Sequence, residues 1–159
     1  LVICLGEAIN RIEICLERRA INLRKASICD NDNVYFDGLK VNDCEDEFLY
    51  SNLNIDKLVL KTNVADSLDA GMFVCNSLFY ELLDYNRKLN NSMLCGFIHI
   101  PRIEKYKSID EMKEKIELII KIRRNFRDLI SILFMRFHLS SKKDGKITGI
   151  LKIKKLEIN

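Results

Sequence analysis

Histidine is scarce in this sequence, limited to His99 and His138, and proline occurs once, at Pro101. Imidazole chemistry therefore has two addresses. The glycines form no phosphate-cradling loop. Cys4, Cys15, Cys29, Cys44, Cys75 and Cys95 show neither CxxC spacing nor a paired pattern, which argues against a zinc site and a disulfide scaffold. Most of these thiols read as small buried apolar groups, and a reducing cytoplasm is the expected setting. No apolar run reaches the roughly 18 residues that mark a spanning helix. The opening Leu1-Val2-Ile3-Cys4-Leu5-Gly6 lacks an initiator Met and the basic flank of an export signal. It reads as a strand entered in mid-domain, part of a longer chain. A net charge of +3 is too small to call for nucleic acid.

What is present fits one domain. The 159 residues are 48% hydrophobic and 31% charged, enough for a core and typical of a globular chain. After the apolar run at 1–6, residues 11–23 alternate Ile12, Ile14 and Leu16 with charges and read as extended. Residues 24–54 are polar and irregular. Their acids lack the spacing and glycine of a calcium loop, so a solvated loop is expected. A short helix at 55–61 and a short strand at 62–66 lead to a turn at Ala70-Gly71. Leu78, Phe79, Leu82, Leu83 and Leu89 follow helical spacing, and Asn90-Asn91 closes that helix. The run from Met93 to Ile100, ended by Pro101, reads as a strand with Phe97 and His99 on one face and Ile98 and Ile100 on the other. Strand, helix and strand of these lengths predict a βαβ unit in a parallel, helix-covered sheet. Ser108-Ile109-Asp110-Glu111 is a capping box that opens a long helix, expected to run as far as Phe137. From 142 onward, apolar and basic residues alternate around two glycines, as in a weak hairpin or a disordered tail. The expected division is a domain at 1–137 and a basic tail at 138–159.

The chemistry converges on Cys75. It sits at the start of the helix that follows Gly71, where the macrodipole and free N–H groups favour a thiolate. His99 ends a sheet strand, where open α/β sheets place their sites, whereas His138 looks structural or exposed. A thiol with an imidazole base suits acyl transfer, and a carboxylate orients the imidazole. Glu17, in another apolar strand, is the candidate for that carboxylate.

Three blocks then carry a resemblance. Leu16-Glu17-Arg18-x-Ala20-Ile21-Asn22, Ser67-x-x-Ala70-Gly71-x-x-x-Cys75-Asn76-x-x-x-Tyr80 and Gly96-Phe97-Ile98-His99-Ile100-Pro101 together resemble the pyroglutamyl peptidase I family, over roughly residues 2–121. The resemblance implies a single α/β/α sandwich with a mostly parallel twisted sheet. It implies a cysteine peptidase that removes N-terminal pyroglutamyl residues from peptides without metal or organic cofactor. On it, Cys75 is the nucleophile, His99 the general base and acid, and Glu17 the residue orienting His99. Members often assemble as homo-oligomers; no membrane and no nucleic acid are implied as partners.

The departures from the family pattern fall on substrate binding. The family's early Gly-Phe-x-Pro-Phe-Gly-like segment, whose aromatics help hold the pyrrolidone ring, is not in this sequence, so the chain reads as N-terminally truncated. Gly-Gln-Ala-Gly-Gly-Arg is replaced by Gly6-Glu7-Ala8-Ile9-Asn10-Arg11, and the arginine of Asp-Ala-Arg-Ile-Pro-Asp-Asn by Ser27. A catalytically inactive relative that binds peptides or a partner subunit is therefore the alternative expectation. A nucleic-acid module through residues 142–155 ranks below both.

Overall fold

The computed structural model describes residues 1–26, 29, 35–106, 108–122, 130–143 and 146–158, the last two spans as backbone only. The opening apolar run forms β1 (Val2–Ala8), and two short extended pieces follow as β2 (Cys15–Glu17) and β3 (Arg19–Ile21). The polar stretch expected to be irregular carries three further short strands: β4 (Arg24–Lys25), β5 (Asp37–Leu39) and β6 (Phe48–Tyr50). Each depends on a partner far along the chain, β3 with β6 and β4 with β5, which local composition does not reveal.

Helix α1 (Ile55–Thr62) is capped by Asn54, whose Oδ1 accepts from Lys57 N at 3.0 Å, and closes on Asn63 in the left-handed region. Next come β7 (Ala65–Ser67), α2 (Val74–Lys88) and β8 (Cys95–Pro101). Asn90 and Asn91 both take positive φ after α2, as their short amide side chains allow. Helix α3 (Ile109–Ile122) opens at the capping box, where Ser108 Oγ accepts from Glu111 N at 3.4 Å.

The long helix does not continue to Phe137. It is described as far as Ile122, and the apolar residues from Ile130 form β9 (Ile130–Lys143), paired antiparallel with β10 (Lys146–Ile158). An apolar run of this kind suits helix or strand equally, and pairing with β1 decides. His138 thus lies within a strand, and β9 runs across the boundary expected at residue 138. The expected hairpin within 142–159 is not formed as such: Lys146–Ile158 is a single strand, and its partner is the longer β9, which begins at Ile130.

Six strands make one sheet in the order β10-β9-β1-β8-β2-β7. β1 runs parallel to β8 and β9, and β2 parallel to β7, while β2–β8 and β9–β10 are antiparallel. The sheet is mixed with parallel pairings in the majority. One local expectation fails here. β7 and β8 flank α2 in sequence but run opposite ways with β2 between them, so they do not form a βαβ unit.

Alternation along β1 and β8 builds the layers. Ile3, Leu5 and Ile98 point to one face and pack with Leu58 of α1 and Met112, Ile119 and Ile120 of α3. Cys4, Cys95 and Phe97 point to the other and pack with Phe79, Tyr80 and Leu83 of α2. This is an α/β/α sandwich with a core on each face. Gly96 is required by it, because a Cβ there would stand 2.2 Å from Leu53 Cδ1. Among the described residues no helix is long and apolar enough to cross a membrane.

Candidate active site

The register of the sheet gathers the predicted residues. His99 stands beside Gly6 of β1 and Cys15 of β2, and Phe97 beside Cys4 and Glu17. Residues two apart share a face, so His99, Phe97 and Glu17 all project toward α2. Glu17 is fully buried and His99 nearly so. Their side chains meet at 2.8 Å between His99 Nδ1 and Glu17 Oε1. A carboxylate only accepts, so Nδ1 is the donor to Glu17, and in the neutral imidazole the lone pair is on Nε2. The imidazole also packs on the Phe97 ring, centroids 4.8 Å apart, and Phe97 in turn rests on Phe79. Orientation and tautomer of His99 are therefore both set by its surroundings.

Cys75 is the second residue of α2, and its neighbour fixes where that helix starts. Buried Asn76 donates through Nδ2 to the carbonyls of Ile21 (2.8 Å) and Leu23 (3.0 Å), and its Oδ1 accepts from Ile21 N at 2.9 Å. The helix start is thereby fastened to β3. Cys75 Sγ comes to rest over Gly6, only 3.0 Å from where a Cβ on that glycine would stand. Gly6 is the register partner of His99, and adjacent strands lie about 4.8 Å apart. The thiol and the imidazole thus occupy neighbouring positions on one face, at the C-terminal ends of β1 and β8.

The electrostatics depart from expectation in one respect. Burial and the nearby Glu17 carboxylate push the Cys75 thiol up to about 11, against the pull of its own backbone N–H at the helix start. The macrodipole reading foresaw a lowered value. Desolvation outweighs the helix start because the thiol is covered by the sheet as well as by its own helix. The resting group is a neutral thiol that needs a base.

Two participants were not singled out by residue type and spacing. Arg11 places Nη2 at 2.9 Å from Glu17 Oε1, and Asn76 positions the helix as described. The signal for Arg11 was available in the block Gly6-Glu7-Ala8-Ile9-Asn10-Arg11, which leaves the site end of β1. A cleft of about 510 Å³ opens beside His99, between residues 8–11 on one side and Ser67, Asp69, Ala70, Gly71 and Phe73 on the other. Gly71 takes a φ of +80°, and its N–H is held by Asp69 Oδ1 at 2.8 Å, which shapes the turn along that wall. The substituted positions Ile9 and Asn10 line the cleft. Ser27 lies outside the described residues. His138 belongs to β9 rather than to this site.

Comparison with known proteins identifies the family. The profile described as pyroglutamyl peptidase matches residues 1–120. Pyrrolidone-carboxylate peptidase of Brachyspira hyodysenteriae is 38% identical over 136 residues, covering 76% of this chain and 67% of that protein. Its counterpart in Alkaliphilus oremlandii is 32% identical over 157 residues, covering 94% and 70%. Pyroglutamyl peptidase I of Bacillus amyloliquefaciens superposes with a TM-score of 0.67 at 30% identity, covering 74% of this chain and 64% of that one. A mutant pyrrolidone carboxyl peptidase of Pyrococcus furiosus shares the fold, with a TM-score of 0.70 at 24% identity over 76% and 67% of the two chains. The chain spans between half and seven tenths of the length of the curated relatives it matches. With the match running from β1 to α3 and taking in all three blocks around Glu17, Cys75 and His99, this chain belongs to the pyroglutamyl peptidase family.

Proposed function

We propose that this chain is a cysteine peptidase acting on peptides with an N-terminal pyroglutamyl residue, with Cys75 as nucleophile, His99 as base and acid, and Glu17 orienting His99. The observation that carries the reading is the buried Glu17–His99 hydrogen bond on the sheet face where Cys75 Sγ covers Gly6. The names of the relatives support the substrate class.

In this reading His99 Nε2 takes the Cys75 proton as the sulfur attacks the carbonyl that joins pyroglutamate to the next residue. Because the thiol titrates near 11, deprotonation accompanies attack and is not complete beforehand. The imidazolium formed is stabilised by the Glu17 carboxylate at Nδ1. The oxyanion is met by backbone N–H groups at the start of α2, each worth about 3–4 kcal/mol in sites of this type. His99 returns the proton to the departing amine, and water, activated by the same imidazole, hydrolyses the thioester. The cleft beside His99 receives the substrate.

Cys75→Ser in the purified chain, assayed with a pyroglutamyl fluorogenic amide, is the test. Turnover is expected to fall by at least about 10³-fold; unchanged turnover removes the assignment. A second reading, peptide binding without turnover, is favoured by Ile9 and Asn10 in the cleft wall. It predicts saturable binding of a pyroglutamyl peptide and no hydrolysis.

A further inference from the structure

Arg11 leaves β1 through a turn closed by its N–H on Ala8 O at 3.2 Å. Its Nη2 then lies within hydrogen-bond distance of three acceptors: Glu17 Oε1 at 2.9 Å, Ser67 Oγ at 3.0 Å and Asp69 O at 2.9 Å. Ser67 Oγ itself donates to Asp69 O and accepts from Asp69 N. Lys25 N holds Met72 O at 2.8 Å farther along the same loop. One guanidinium nitrogen thus joins the buried carboxylate to the segment that runs from β7 into α2.

We propose that Arg11 is a positioning residue of this site, a permanent countercharge that keeps Glu17 anionic while His99 is neutral and fastens it to the loop delivering Cys75. The inference rests on the reading of Glu17, His99 and Cys75 given above. A carboxylate with no exposure and only an imidazole beside it would have a countercharge that comes and goes with the imidazole proton. The guanidinium charge does not come and go. Because Arg11 and His99 share Oε1, the cation also limits how strongly Glu17 favours the imidazolium.

The other titratable groups near the pair do not supply this charge. Cys75 reaches it from α2 and Cys15 from β2, and both thiols are pushed up by burial. Asp66 of β7 is occupied by Arg18, the Asp69 carboxylate by Gly71 N, and Glu7 lies 3.6 Å from Arg102.

The experiment follows iodoacetamide alkylation of Cys75, resolved by peptide mass, from about pH 5 to 9 across the imidazole range. It uses the full chain, Arg11→Met and Arg11→Lys, with hydrolysis of a pyroglutamyl amide in parallel. Arg11→Met is expected to move the acid limb upward by about one pH unit or more, since Glu17 then pairs with His99 alone and favours the imidazolium. Arg11→Lys keeps the limb in place but lowers kcat more than it raises KM, because the shorter, flexible lysine side chain does not hold its nitrogen at the point where Nη2 meets all three acceptors. Added guanidinium restores part of the rate to Arg11→Met. Arg11→Gln gives the same limb readout if Arg11→Met does not fold. An unmoved limb in the neutral variants overturns the proposal, as does a wild type with no limb at all. A wild type that hydrolyses no amide, but whose limb shifts as stated on substitution, refutes the peptidase reading and supports this one.

Discussion

Gly6 is the position where the packing of the site is tightest, and Gly6→Ala tests whether that packing sets the chemistry. A methyl group there would stand 2.9 Å from Phe97 Cζ and 3.0 Å from both Phe97 Cε1 and Cys75 Sγ. Ordinary carbon contacts are about 3.5–4.0 Å, so three atoms overlap it by roughly 0.5–1 Å each. None can yield freely. Phe97 is 1% exposed and wedged between Phe79 and His99, so moving its ring moves the imidazole. Cys75 rides on a helix start that Asn76 ties to β3. Overpacking of this kind costs about 1–3 kcal/mol, which for a chain of this size lowers Tm by about 3–10 °C. Displacing thiol and imidazole by up to about 1 Å lowers kcat/KM on a pyroglutamyl amide by about 10²-fold. Gly96→Ala is the control. It collides with Leu53 on the opposite face of the sheet and is expected to lower Tm without slowing alkylation of Cys75 below the melting range. Wild-type Tm and wild-type alkylation rate in Gly6→Ala would refute the geometry argued here.

Two further outcomes follow from the same structure. Asn76→Ala strips Ile21 and Leu23 of three part-buried hydrogen bonds and is expected to cost about 2–4 kcal/mol, read from urea midpoints, with loss of Cys75 reactivity at temperatures where the chain remains folded. Alkaline pH should destabilise the reduced protein. Burial raises Cys4 to about 12 and Cys15, Cys75 and Cys95 to about 11, from 9.0 in the free thiol. The unfolded chain therefore releases thiol protons first, and stability present below pH 9 is lost as pH rises from about 9 toward 11. Urea midpoints that stay level between pH 8 and 10 under reducing conditions would contradict this, at about the precision of the extrapolation.

Local pattern alone determined a good part of this protein. Period-two alternation in 95–101 put Phe97 and His99 on one face and Ile98 on the other, and helical spacing with closing asparagines marked α2. A cysteine at the head of that helix, a histidine late in the next strand and a glutamate in an apolar stretch made these three residues candidates, and the resemblance of their blocks to the pyroglutamyl peptidase I family supplied their expected roles. These are short-range signals, and burial of one face enforces them.

The tertiary structure decided what depends on distant partners. The apolar run from Ile130 became β9 and not helix because its backbone pairs with β1, more than a hundred residues earlier in the chain. β7 was turned against β8 by the insertion of β2 between them. The thiol of Cys75 rose instead of falling because the sheet covers it, and desolvation depends on everything packed around a group, not on its place in a helix. Arg11 reached Glu17 only through a turn whose direction no spacing rule supplies. Residue types and short periods specify which groups are available; burial, register and charge pairing, which sum over the whole fold, specify what state those groups are in.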